Sequence, residues 1–150
     1  MELKIPPVIV FIIAVLAIYG IGLFDASLSL FDTLSLWCAI AFFIMSGIFG
    51  CLGVLSFKLS STTVNPMEPE KASQIVSSGI FRLSRNPMYL GLLFLLISYC
   101  FFLQTAFAFL VCVLFVLYMN RFQIYPEERV LEAKFGQDYQ QYKSRVRRWI

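Results

Sequence analysis

Residues 88–122 read MYLGLLFLLISYCFFLQTAFAFLVCVLFVLYMNRF, and the number of times this stretch crosses a membrane decides the fold. As one helix it would extend roughly 50 Å, too long for a hydrocarbon core of about 30 Å without severe tilt. It would also leave the polar segments before and after it on opposite sides of the membrane. Two helices turning at Gln104 and Thr105 remove both difficulties. The expectation is a hairpin whose first arm begins near Arg85 and whose second continues to Arg121.

Two further apolar stretches precede the hairpin, residues 6–24 and 34–57, and the hairpin arms cover 88–103 and 105–122. With four crossings, all 12 Lys and Arg residues fall on one face. Lys4 precedes the first span, Lys58, Lys71, Arg82 and Arg85 lie between the second and third, and the rest end or follow the fourth. The other face receives Asp25, Asp32 and the hairpin tip. This asymmetry matches the cytoplasmic bias of Lys and Arg. The fold expected is all-α and integral to the membrane: four transmembrane helices, both termini cytoplasmic, in the inner (cell) membrane. Chemistry is to be sought in segments 58–86 and 120–150.

At 150 residues and 59% hydrophobic, with mean hydropathy +0.79, the chain is too apolar for an ordinary soluble domain. It divides into an N-terminal helix pair, 1–57, and a core, 58–150. The first apolar stretch has a weakly charged start and no small-x-small cleavage site, so it reads as a retained span. Net charge +3 comes mainly from Lys143, Arg145, Arg147 and Arg148, a cluster suited to anionic headgroups. No nucleic-acid recognition motif accompanies it, so no nucleic-acid partner is expected.

Cys38, Cys51, Cys100 and Cys112 all lie in apolar stretches without CxxC spacing, and they read as small buried hydrophobes. The chain has no histidine, which excludes His-based metal sites and His general bases; no metal is expected. Ser46, Gly47, Gly50 and Gly53 in the second span allow close helix approach. Packing inside one chain is the preferred reading over a dimer face, so a monomer is expected.

The segment 60–79 is rich in turn formers, among them Asn65, Pro66, Pro69 and Gly79. After the last span, Pro126 with Glu127 and Glu128 reads as a helix start, and Val130, Leu131, Ala133 and Phe135 make that helix amphipathic. Gly136 ends it. A second short helix from Asp138 brings Tyr139 and Tyr142 beside Val146, an aromatic and basic mixture that fits the headgroup layer.

Two constellations carry candidate chemistry. In the first, Gly79 permits a turn and Arg85-Asn86-Pro87-Met88-Tyr89-Leu90-Gly91 opens the third helix. The first turn of that helix offers free backbone N–H groups, and Asn86 adds a donor and an acceptor. The second constellation is Pro126-Glu127-Glu128-Arg129, paired carboxylates that can bind an ammonium beside a guanidinium that can grip an anion. Either alone is also what a capped helix end looks like.

Taken in order, Arg85-Asn86-Pro87-Met88-Tyr89-Leu90-Gly91, a hydrophobic hairpin, Glu127-Glu128 and then Phe135-Gly136-Gln137-Asp138-Tyr139-Gln140-Gln141-Tyr142 resemble the isoprenylcysteine carboxyl methyltransferase family and the related membrane phospholipid N-methyltransferases. The likeness covers about residues 61–149, with Thr63-Val64-Asn65-Pro66 at its upstream edge. It implies that 58–150 is an S-adenosylmethionine-binding methyltransferase core. Gly79, Arg85, Asn86, Pro87, Tyr89, Glu127 and Glu128 would contact the cofactor, with Glu128 and Arg129 acting on the acceptor. The family usually carries histidine at Asn86, and asparagine is a familiar variant. A mechanism needing imidazole there is excluded in this chain.

The resemblance implies methyl transfer to a lipophilic acceptor at the cytoplasmic membrane face: a carboxylate such as isoprenylcysteine, or a related group. Phospholipid amine methylation is the enzymatic alternative. A non-catalytic scaffold or transporter subunit is the alternative of another class, although the span interiors hold no Asp, Glu, Lys or Arg and so offer no polar path.

Overall fold

The computed structural model describes residues 2–24, 32–59 and 74–150, and among the described residues the regular structure is entirely helical. Thr63-Val64-Asn65-Pro66, Lys71 and Asp25 lie outside them. Pro7 opens α1 (Pro7–Gly22) and Pro87 opens α3 (Pro87–Phe102), where a missing N–H costs nothing because first-turn donors have no intrahelical acceptor. Between them lies α2 (Asp32–Leu59), and α4 (Phe109–Met119) follows α3.

Neighbouring helices alternate in direction. A side chain on Gly22, at the end of α1, would meet Leu103 just past the end of α3. Near the start of α2, Ser35 Oγ donates to the Phe101 carbonyl at 2.6 Å. At the other end Gly53 of α2 lies against Pro87 and Met88, and the Leu3 N–H donates to the Phe122 carbonyl at 3.0 Å. The segment before α1, the end of α2, the start of α3 and the end of α4 therefore share one end, and all the charged segments described gather there.

The expected hairpin is present. Gln104 takes a positive φ of 55°, the Thr105 N–H reaches the Cys100 carbonyl at 3.1 Å, and the Phe101 and Phe109 rings meet edge to face at 5.0 Å. Small residues explain how α2 and α3 come together. A Cβ on Gly91 would stand 3.0 Å from Gly50 N and 3.1 Å from the Ser46 carbonyl oxygen, so the backbones nearly touch. The stripe on α2 is used inside the chain, as its spacing predicts. Two helical runs, Thr33–Ser56 and Phe109–Phe135, are long and apolar enough to cross a membrane, while α1 and α3 are apolar but shorter.

Three expectations need correction. Pro126 does not start a new helix: the run from Phe109 to Phe135 is continuous. A π segment (Asn120–Ile124) joins α4 to α5 (Tyr125–Phe135), with the Tyr125 N–H bonded to the Asn120 carbonyl five residues back. Pro126 cannot donate to its α-helical acceptor, the Phe122 carbonyl, and the Leu3 N–H takes that place. Second, the aromatics of α6 (Gln137–Arg145) turn into the protein rather than standing out as anchors. Tyr139 is buried, and the Tyr142 hydroxyl donates to the Phe81 carbonyl at 2.8 Å, pinning the 3-10 turn Gly79–Arg82 ahead of α3. Third, only part of the cysteine set is buried. Cys100 and Cys112 are in the core with sulfurs 3.7 Å apart, whereas Cys51 is exposed and Cys38 intermediate on α2. Helix face rather than residue type decides their burial.

Candidate functional site

The end at which α3 starts and α5 begins carries nearly every side-chain ion pair and charged hydrogen bond of the core. The Asn86 N–H is accepted by Ser84 Oγ at 3.1 Å, which fixes the chain's entry into α3. One turn in, Tyr89 is 5% exposed, and its hydroxyl donates to Glu127 Oε1 at 2.5 Å. Gln123 Nε2 donates to the same oxygen at 2.7 Å. The two motif segments, far apart in sequence, thus meet directly.

Glu128 is the hub of the charged cluster. Arg148 clasps it through both oxygens, Nε to Oε1 at 3.0 Å and NH2 to Oε2 at 2.7 Å, and Arg85 NH2 stands 3.1 Å from Oε1. The side chains of Arg85 and Glu128 are 10% and 8% exposed. A charge pair this far from water persists only when the charges are matched and hydrogen-bonded. Arg148 also stacks on Tyr125, 4.2 Å from the ring centroid. The Glu128 carboxylate pushes the Arg148 guanidinium further above its ordinary range, so the guanidinium stays charged. Burial pushes the phenols of Tyr139 and Tyr142 upward in the same way, keeping both neutral.

The C-terminal residues bind the segments together as a strap. The Arg147 carbonyl accepts the Arg85 N–H at 3.0 Å. The Arg148 carbonyl accepts Asn86 Nδ2 at 3.0 Å and Ser84 Oγ at 3.3 Å, and Trp149 Nε1 donates to Asn120 Oδ1 at 3.1 Å. The strap returns to this end because the chain reverses at Gly136, whose φ of 54° suits glycine.

Of the residues singled out from sequence, Arg85, Asn86, Pro87, Tyr89, Glu127 and Glu128 are brought together here. Gly79 has a positive φ of 58° and sits against Ser56, so it shapes the turn before α3. Arg129 is exposed and points away from the cluster, pairing with Glu2, which also bonds Arg121 at 2.8 Å. Gln123 and Arg148 were not foreseen as site residues. The spacing of four between Gln123 and Glu127 was readable, had the helix been taken as continuous across Pro126. Nothing local announces Arg148.

What the cluster leaves unused is informative. Arg85 Nε and NH1 are buried and have no hydrogen-bond partner among the described residues. A buried guanidinium edge with unmet donors suits an anionic group of a ligand. Among the described residues no group of three or more His, Cys, Asp or Glu side chains gathers to hold a metal.

Comparison with known proteins agrees with this arrangement. An uncharacterized protein of Haemophilus influenzae is 46% identical over 63 residues, covering 42% of this chain and 100% of that protein. No solved structure matches. The family model described as phospholipid methyltransferase matches residues 33–138, from the start of α2 into α6. That span takes in both motif segments and well over half the chain. The chain therefore belongs to the phospholipid methyltransferase family, a family of membrane methyltransferases.

Proposed function

We propose that this polar end binds S-adenosylmethionine and transfers its methyl group to a lipophilic acceptor at the cytoplasmic membrane face. In this reading the chain crosses four times with both termini cytoplasmic. The observation that carries the proposal is the hydrogen bond from Tyr89 to Glu127, with the unmet donors of Arg85 at the same end of the fold.

The residues present fit the cofactor. Its methionine end carries a carboxylate and an ammonium; Arg85 Nε and NH1 suit the first, and Glu127 Oε2 suits the second. Tyr89 and Gln123 hold Glu127 in place through its other oxygen, so that orientation is set before a ligand arrives. In this reading the Asn86 side-chain oxygen and the first-turn N–H groups of α3 serve polar groups of the adenosine, while Asn86 Nδ2 holds the Arg148 carbonyl. When bound, the cofactor supplies a methyl group on an electron-poor sulfonium. The protein's task is then to align an acceptor with that methyl and to keep water out.

Glu128, held by two guanidinium groups, serves to fix Arg85 and Arg148 rather than to take up a proton. An ionised carboxylate or thiolate acceptor needs no base. A phospholipid amine, which the family's description favours, would lose its proton to solvent. Arg129, exposed outside the cluster, is assigned to the acceptor side. Its loss should lower turnover and spare cofactor affinity.

Equilibrium binding of S-adenosylmethionine to detergent-purified protein tests the proposal. Wild type should bind, Glu127→Gln should bind about tenfold more weakly, and Tyr89→Phe should lose a few-fold, in line with one hydrogen bond to a charged group. No specific binding by well-folded wild type would sink the enzyme reading. Binding unchanged in both variants would sink the residue assignment alone. Methyl incorporation into phosphatidylethanolamine, compared with a prenylated cysteine, then identifies the acceptor class.

A further inference from the structure

The fold sorts the basic residues of the tail into two sets, a division the linear sequence hides. Arg148 turns inward to Glu128, and Lys143 bonds Glu132 at 3.0 Å. Arg145 and Arg147 remain exposed and have no carboxylate partner among the described residues. A third exposed and unpaired arginine, Arg82, joins them from the other motif segment. Hydrogen bonds tie the two segments, among them the Arg85 N–H to the Arg147 carbonyl at 3.0 Å, Ser84 Oγ to the Arg148 carbonyl at 3.3 Å, and the Tyr142 hydroxyl to the Phe81 carbonyl at 2.8 Å. Leu83 and Ile150 stand out from the same two segments, 61% and 65% exposed.

We propose that this outer face is a docking surface for anionic phospholipid headgroups. Guanidinium groups grip phosphate through paired N–H donors, and three of them with no ion-pair partner among the described residues make a field that selects negative over zwitterionic lipid. Leu83 and Ile150 supply apolar side chains for the boundary between headgroups and acyl chains. Glu128 is committed to Arg85 and Arg148 and Glu132 to Lys143, and no ion pair among the described residues involves the three arginines. The surface uses no atom assigned to cofactor binding, and the proposal stands or falls independently of methyl transfer.

The test is binding of short-chain phosphatidylglycerol and phosphatidylcholine to the full chain in neutral detergent, followed by native mass spectrometry at two salt concentrations. Phosphatidylglycerol should bind at least tenfold more tightly, and salt should weaken it. Each arginine replaced in the series Arg82→Gln, Arg145→Gln and Arg147→Gln should cost roughly fivefold, the affinity carried by one basic residue near an anionic surface. The variants keep the backbone bonds of the strap, so S-adenosylmethionine affinity and melting temperature in lipid-free detergent report whether the fold is intact. Equal binding of the two lipids, or undiminished binding by a folded triple variant, would overturn the proposal. So would displacement of the lipid by equimolar inorganic phosphate, which would indicate a free-anion site, or by single-stranded RNA at lower concentration, which would indicate a nucleic-acid surface.

Discussion

The packing of α1 and α2 against the hairpin and the junction between the start of α3 and the start of α5 rest on different forces. In the first, hydrogen bonds between α2 and α3 end on backbone carbonyls: Ser35 to Phe101, and Ser98 of α3 to Ala39 at 2.7 Å. Its cohesion comes from close backbone approach at Ser46, Gly50 and Gly91 and from a few inward residues such as Ala14 and Ile18. Most of its large apolar side chains face outward, Trp37 at 65% exposed among them, which suits a surface covered by lipid tails. At the junction, matched charges and directional bonds fix each group's orientation. Packing by proximity tolerates many sequences, whereas a buried ionic cluster tolerates few. Chemistry is therefore expected at the second region and not at the first.

The sharpest way to break this contrast is to remove the hub. Glu128→Ala leaves Arg85, 10% exposed and already short of partners, with no carboxylate at all. Stranding a buried charge costs about 3–5 kcal/mol. The variant should unfold at markedly lower temperature in detergent and fail to bind S-adenosylmethionine, while Glu128→Gln should recover part of the stability. A melting temperature equal to wild type in Glu128→Ala would show that the cluster is peripheral to the fold.

The packing half of the comparison is probed by two glycines on facing helices. Gly91→Ala pushes a methyl group into the backbone of α2, where neither Gly50 N nor the Ser46 carbonyl oxygen can swing aside, and overpacking of this kind costs about 1–3 kcal/mol. Gly47→Ala meets nothing within 4 Å and should be neutral or stabilising by up to about 1 kcal/mol, through helix propensity. Thermal unfolding of the two variants side by side separates them. Equal melting temperatures would mean that α2 and α3 are not in the close contact described.

Much of the first region was legible in the sequence because its signals are local: apolar length, small-residue spacing, and a polar turn at Gln104 and Thr105. At the junction, Asn86, Tyr89, Glu127 and Glu128 were legible through their order and separation. Gln123 was lost because Pro126 reads as a helix start. The continuity of the helix depends on the Leu3 N–H serving the Phe122 carbonyl, a contact between residues at opposite ends of the chain. Arg148 was read as one of a basic cluster, since its partner Glu128 lies twenty residues earlier and only the reversal at Gly136 closes that gap. Tyr139 and Tyr142 look like interfacial anchors until α6 is placed against the turn before α3. The tertiary return of the tail is what the local pattern does not contain.

The weakest link tests where the junction ends. Glu2 bonds Arg121 and Arg129 at the surface, and Leu3 beside it caps the Phe122 carbonyl over the π segment. The hydrogen bond from Arg121, with that from Arg129, holds the Glu2 carboxyl below its ordinary value of 4.5 despite partial desolvation. A carboxyl lowered on folding contributes its stabilisation above its unfolded value and loses it as pH falls through the lower, folded one. The docking of the N-terminal segment should therefore be intact at neutral pH and weaken only below about pH 4.5, where global stability changes little because the pair is solvated. Salt should have a similar loosening effect at neutral pH. Protection of the Leu3 amide against hydrogen exchange, corrected for intrinsic rate, is the direct measure. Glu2→Gln should show reduced protection at neutral pH and no further acid-dependent step. An acid step that persists in Glu2→Gln would place the responsible carboxylate elsewhere and confine the ordered junction to the groups around Glu127 and Glu128.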